Sequence, residues 1–407
     1  MKTGLFVLAS GIAIAAASPA AAQSSPGGAP ESMFGPGPTI RSGDWSIKPR
    51  GRLQIDAGSI SRPDGIALPE GRLGSGGELR RGRIGIEGTM PGHLSYVFEI
   101  DLAADVVEVI EAYVDWKPSS NLNLTIGQHN NLQSLEELTS DRFTSFVERA
   151  AFTDAFNFEY RLGLSATYSR GPLTVQAGVF HDNLLDVDEP GNDSHSVDGR
   201  IVVAPKAGET QLHFGASAHV RSNGDLDDRG ATTRYRQRPL VHFTSARFAA
   251  TPALAVSSET SYGLEAALIR GPFHAAAEAH WLNAETPTAS PTFFGGYVEA
   301  GWFLTGETRG YRGAKFDRTR VLNPLAGGGI GAIQFNLRYD RLDLNSAGIV
   351  GGTQDGYLAS LIWNPEDRLR FLISAGRLDY RDARIPAAGG NRDYGVNVVG
   401  VRAQLDW

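Results

Sequence analysis

The chain contains no cysteine in 407 residues. Disulfide staples, thiolate metal sites and a cysteine nucleophile are therefore excluded, and hydrogen bonding and packing must hold the fold. Lysine is nearly as scarce, since only 5 of the 38 basic residues are Lys and the other 33 are Arg. A formal charge of -7 argues against a nucleic-acid binder, which carries a basic footprint. Long apolar runs are missing too, and mean hydropathy is -0.20. The one extended apolar stretch, Leu5 to Ala17, is shorter than the roughly 20 residues of a membrane-spanning helix.

That stretch follows Lys2 and leads to Ala20, Ala21 and Ala22 before Gln23, the pattern of a secretory signal with an A-x-A cleavage site. Residues 1–22 are thus expected to be a signal peptide, with export as the consequence. Residues 23–47 hold four Pro and five Gly and predict a flexible lead-in. Low hydropathy does not exclude the membrane, because a transmembrane barrel alternates lipid-facing and lumen-facing residues and so keeps its average low.

From Lys48 to Trp407 a two-residue period recurs in segments close to the 9–11 residues of a tilted membrane strand. Ile333, Phe335, Leu337 and Tyr339 alternate with Gln334, Asn336, Arg338 and Asp340. Leu94, Tyr96, Phe98, Ile100 and Leu102 alternate with Ser95, Glu99 and Asp101, and Ile110, Ala112, Val114 and Trp116 with Glu111, Tyr113 and Asp115. Leu212, Phe214, Ala216 and Ala218 stand against Gln211, His213, Ser217 and His219. Tight turns such as Arg170-Gly171-Pro172 and Arg270-Gly271-Pro272 contrast with long linkers at 130–158, 183–196 and 222–259. Short periplasmic turns and longer outer loops are the barrel signature, and the runs predict about sixteen antiparallel strands over 48–407 with a polar lumen. Strand parity puts the long connection 306–330 on the periplasmic side. The last segment sets Val399, Val401, Ala403, Leu405 and Trp407 on one face, and its terminal aromatic resembles the signal read by the outer-membrane assembly machinery.

Several stretches resemble the phosphate- and polyphosphate-selective porin family. They include Gly296-Tyr297-Val298-Glu299-Ala300-Gly301-Trp302-Phe303-Leu304-Thr305-Gly306-Glu307, Arg338-Tyr339 and Leu342-Asp343-Leu344-Asn345. Leu79-Arg80-Arg81-Gly82-Arg83, Gly127-Gln128 and Phe146-Val147-Glu148-Arg149 match as well. The resemblance implies a homotrimer of sixteen-stranded barrels in the outer membrane that pass small anions such as phosphate. It also implies that the third and fifth outer loops and the long periplasmic connection fold inward, here 130–158, 222–259 and 306–330. The sequence departs from the family at His129-Asn130-Asn131 and at Asp141, where members commonly carry Lys.

A diffusion pore works through the lining of its narrowest part, and Arg suits anions because its donor fork matches oxyanion geometry and stays charged. Arg81 and Arg83 share the polar side of a strand whose other side holds Ile84 and Ile86. The fifth loop offers Arg229, Arg234, Arg236 and Arg238, and the periplasmic connection Arg309, Arg312, Lys315, Arg318 and Arg320. Arg142 and Arg149 lie in the third loop among Glu136, Glu137, Asp141 and Glu148, and Arg338 on a strand. Lumen-facing acids, among them Asp56, Glu99, Asp101, Glu111, Glu299 and Asp340, are expected to pair with these cations and lower the net field. A weakly selective general pore is the alternative. A barrel enzyme fits less well, because no G-x-S-x-G turn or H-E-x-x-H pair occurs. His213 and His219 read as two exposed lumen histidines rather than a metal site, and no cofactor is expected.

Overall fold

The computed structural model of the protein describes residues 37–68, 71–103, 106–184, 194–223 and 232–407. The export segment 1–22, residues 23–36 of the lead-in and Arg229 lie outside the described residues. Among the described residues eighteen strands form one sheet, and two of them, Ile40–Ser42 and Lys206–Ala207, are stubs of 3 and 2 residues. The remaining sixteen run antiparallel in chain order. The first, Trp45–Ile60, pairs with the last, Tyr394–Asp406, from Arg52↔Asp406 to Ile60↔Val398, and closes the cylinder. Closure removes the unpaired edges that hydrocarbon cannot tolerate. The sheet begins earlier than the Pro and Gly content of 23–47 suggests, because Ile40–Ser42 pairs with the start of Trp45–Ile60.

Alternation decides which side chains meet lipid. On Ala332–Ser346 the outward Phe335, Leu337 and Tyr339 are exposed, while Gln334, Asn336, Arg338 and Asp340 are buried inside. Aromatic rings pair across neighbouring strands on the outer surface. Phe273 lies 5.5 Å from Trp302 and Trp363 5.5 Å from Phe371 near the periplasmic turns. Trp281 with Phe294 and Tyr339 with Tyr357 repeat the arrangement toward the outer end. These are the two aromatic girdles of a membrane barrel.

The expected polar lumen holds only in part. Beyond Asp340 the apolar residues change side, so Leu342 and Leu344 are buried inside while Arg341 and Asp343 face out. Leu358, Leu372, Leu378, Tyr380, Val396 and Val398 also point inward and join one apolar cluster with Phe146 and Phe152 of the third loop and Tyr235 and Phe248 of the fifth. At Leu342, Leu344, Leu378, Tyr380, Val396 and Val398, above the hydrocarbon, the outer wall meets water and the inner wall meets loops, so the phase inverts. Leu358 and Leu372 lie lower, level with lipid-facing neighbours. Loop packing has replaced water on this side of the barrel.

Two bulges re-aim residues that strict alternation would misplace. Gln54 pairs with Arg81 and Ile55 with Leu79, so Arg80 is the extra residue, and both Arg80 and Arg81 reach the interior. Glu99 pairs with Glu111 and Ile100 with Val109, which makes Ile110 the extra residue. Ile110, which the period assigns to the lipid face, is therefore turned into the lumen.

Candidate pore lining and its ion pairs

The third loop, 131–159, is pinned by acids of the barrel wall. Glu278 accepts hydrogen bonds from the backbone N–H of Leu135 (3.0 Å) and Glu136 (2.6 Å) at the start of the helix Leu135–Leu138. Asp340 accepts one from Ala151 N–H (2.9 Å) at the start of Ala151–Ala155. Both carboxylates satisfy donors that a helix start leaves free. Phe152 then seats on the bare backbone of Gly295, where an added Cβ would come within 2.3 Å of the Phe152 Cβ. Ser360 Oγ donates to the Ser145 carbonyl (2.6 Å) and Val147 N–H to Ser374 Oγ (3.2 Å), tying the far side of the loop.

Arg149 and Arg338 belong to this scaffold. Arg149 donates to the carbonyls of Glu136 (3.1 Å), Glu137 (3.1 Å) and Thr139 (2.8 Å) and so binds the end of the loop helix. Arg338 is buried between Glu299 (2.6 Å) and Glu136 (2.7 Å), with the rings of Phe146 and Tyr297 at 4.5 and 4.6 Å. Arg309 reaches Glu299 at 3.3 Å and Ser145 at 2.6 Å and stacks 3.9 Å from the centre of the Phe316 ring.

The long periplasmic connection enters the lumen as a hairpin, Gly310–Arg312 against Lys315–Asp317, with Phe316 buried. Arg200 holds its tip through the Ala314 carbonyl (2.9 Å) while paired with Glu265 (2.6 Å). His213 shares a hydrogen bond with the Tyr311 hydroxyl at 2.7 Å and lies 3.1 Å from Glu265, and His219 lies 2.6 Å from Asp198. Neither histidine is the exposed lumen residue that the sequence suggests, because each is buried against a carboxylate. Among the described residues no His, Cys, Asp and Glu group is arranged to hold a metal ion.

The third loop separates two cavities. The outer one, about 290 Å³, is lined by Arg80, Arg81, Arg83, Arg149 and Arg238 against Glu108, Glu137, Asp141, Glu148, Asp154 and Glu159. Its cations are matched by acids. Asp141 lies 2.6 Å from Arg52, 2.9 Å from Arg81 and 3.7 Å from Arg83, and Arg83 also pairs with Asp101 at 2.8 Å. Arg80 grips Glu148 with two bonds (2.8 and 3.1 Å), and Arg402 grips Asp56 with two (2.7 Å each). Burial alone would raise the loop carboxyls, but Arg52, Arg81 and Arg83 outweigh it and hold Asp141 well below the usual carboxylate range. Arg80 and Arg402 do the same for Glu148. At Glu137 burial prevails over Arg149 and the carboxyl is pushed up.

The inner cavity, about 30 Å³, lies toward the periplasm and is lined by Arg142, Arg309, Arg318, Arg368 and Arg370 against Asp317, Asp367 and Asp406. One water needs about 10–15 Å³ on this measure. Asp406 is shared by Arg318, Arg368 (3.4 Å) and Arg142 (3.8 Å). Arg370 donates to the carbonyls of Arg142 (2.8 Å) and Thr144, leaving the carboxylates to its neighbours.

Of the residues singled out from the sequence, Arg81, Arg83, Arg149 and Arg238 thus meet at the outer cavity, and Arg142, Arg309 and Arg318 at the inner one. Arg338 sits in the wall beneath the loop. Arg234, Arg236 and Arg320 are exposed and line neither cavity. At the hairpin, Lys315 is exposed, and Arg312 is 85% exposed beside Asp317. Arg50, Arg52, Arg80, Arg368, Arg370 and Arg402 were missed as candidates, although strand phase alone gives the inward direction of Arg50, Arg52, Arg370 and Arg402.

Comparison with known proteins agrees with this architecture. The chain is 51% identical over 379 residues to an uncharacterized protein of Caulobacter vibrioides, covering 91% of this chain and 76% of that one. It is 28% identical over 344 residues to Porin O of Pseudomonas aeruginosa, covering 76% and 75%. Its fold superposes on the anion-selective porin from Comamonas acidovorans with a TM-score of 0.57 at 10% identity, over 89% of this chain and 100% of the other. Residues 47–407 match the family described as phosphate-selective porin O and P, and the chain, a closed barrel girdled by aromatics and narrowed by its third loop, is an outer-membrane porin belonging to that family.

Proposed function

We propose that the protein conducts small anions passively through its lumen, with phosphate and polyphosphate as the first candidates and without any covalent step. The observation that carries this reading is the inner cavity, where five arginines face three aspartates next to the third loop. Guanidinium groups in such excess replace the water an anion loses and repel cations. Family membership supports phosphate as the substrate class. The same resemblance supports assembly as a homotrimer, which cross-linking in detergent tests.

A weakly selective general pore is the second reading, and the balanced outer cavity favours it. Reconstitution in planar bilayers under a KCl gradient separates the alternatives. The proposal expects a reversal potential on the anion side and a chloride current reduced by added phosphate. Anion preference without phosphate sensitivity supports the general pore, and a reversal potential on the cation side contradicts anion conduction altogether.

A further inference from the structure

Arg81 stands out among the lumen arginines of the outer cavity. The one ion pair recorded for it among the described residues is with Asp141, and its other side-chain partner is the Gln54 amide oxygen at 2.8 Å. Arg52 and Arg83 have carboxylates of their own on the wall, Glu99 at 2.8 Å and Asp101 at 2.8 Å, yet both also turn toward Asp141. Asp141 comes from a different element, 89 residues away from Arg52 in the chain. Its two oxygens divide between the guanidinium groups, Oδ1 to Arg52 and Oδ2 to Arg81 and Arg83. That is the donor arrangement an oxyanion would find. Arg81, Arg83 and Asp141 all border the 290 Å³ cavity, so a solute there has access to them.

We propose that Asp141 is a tethered counter-ion: its carboxylate fills an oxyanion site made by Arg52, Arg81 and Arg83, and permeating oxyanions bind there only as far as they displace it. The inference rests on the anion-porin reading and adds a residue that sets its specificity. A displaceable internal carboxylate keeps the site from trapping its cargo. Removing the charge exposes Arg81 with a single amide partner and frees the site for inorganic phosphate.

The test is phosphate inhibition of chloride current through reconstituted D141N, compared with the unmodified porin. D141N keeps the shape and an acceptor oxygen. The proposal expects the phosphate concentration for half-inhibition to fall by about tenfold or more, the worth of one charge-assisted hydrogen bond, with the reversal potential moving further to the anion side. Adding R81Q to D141N should return phosphate sensitivity to the unmodified level. If D141N does not assemble, D141S carries the same measurement. A purely structural ion pair would lower the temperature at which the barrel unfolds in detergent and leave phosphate sensitivity unchanged. That result overturns the proposal, as does a gain in sensitivity that survives R81Q. Cation selectivity of the unmodified porin would instead remove the anion-porin reading, while the D141N comparison would still report on the site.

Discussion

Asp141 and Arg142 are adjacent in the chain and border opposite sides of the third loop. On the outer side, five arginines face six acids in a cavity of about 290 Å³. On the periplasmic side, five arginines face three aspartates in a cavity of about 30 Å³. Arginine outnumbers acid in the second lining and not in the first, although Glu299 behind the inner lining also takes up Arg309. Narrow walls of low dielectric also magnify whatever charge remains. On the proposed function, the selective region is where positive charge remains after pairing, not where arginines are most numerous. We propose that the wider outer cavity admits solutes and the tighter inner one discriminates among them.

The strongest way to break this contrast is to remove the partition. R338M leaves Glu299 and Glu136 buried without their main partner, and loss of one member of such a pair costs about 3–5 kcal/mol. The third loop should come away from the wall, with a large rise in single-channel conductance and current noise, while the barrel itself still resists SDS before heating. Next in size, R318Q/R368Q strips two cations from around Asp406, and the reversal potential in a KCl gradient should swing clearly toward cations. R81Q/R83Q should move it the same way by less, because Asp141 already compensates Arg81, and Glu99 and Asp101 compensate Arg83. R312Q should change it least, since Arg312 is largely exposed and paired with Asp317, and molar salt screens such charges within about 3 Å.

The barrel was legible because its period is simple. Strand number, the inward loops and the direction of Arg81 and Arg83 follow from alternation and parity, or from the family resemblance. The phase change at Asp340 was written in the sequence as well, since Leu342 and Leu344 fall on the even positions that Arg338 and Asp340 occupy. A single uninterrupted period hides it, because the surroundings of a strand change along its length. The bulges at Arg80 and Ile110 left no local signal. Ion pairing was legible only as a tendency. Which acid meets which arginine depends on where the third loop lands, as Asp141 on Arg52 and Glu136 on Arg338 show, across 89 and 202 residues.

The central claim is that anion preference resides on the periplasmic side of the third loop. It is tested most directly by measuring reversal potentials of R318Q/R368Q and R81Q/R83Q side by side under one KCl gradient. The account predicts the larger shift toward cations in R318Q/R368Q. An equal or larger shift in R81Q/R83Q would contradict it and move the selective site to the outer cavity.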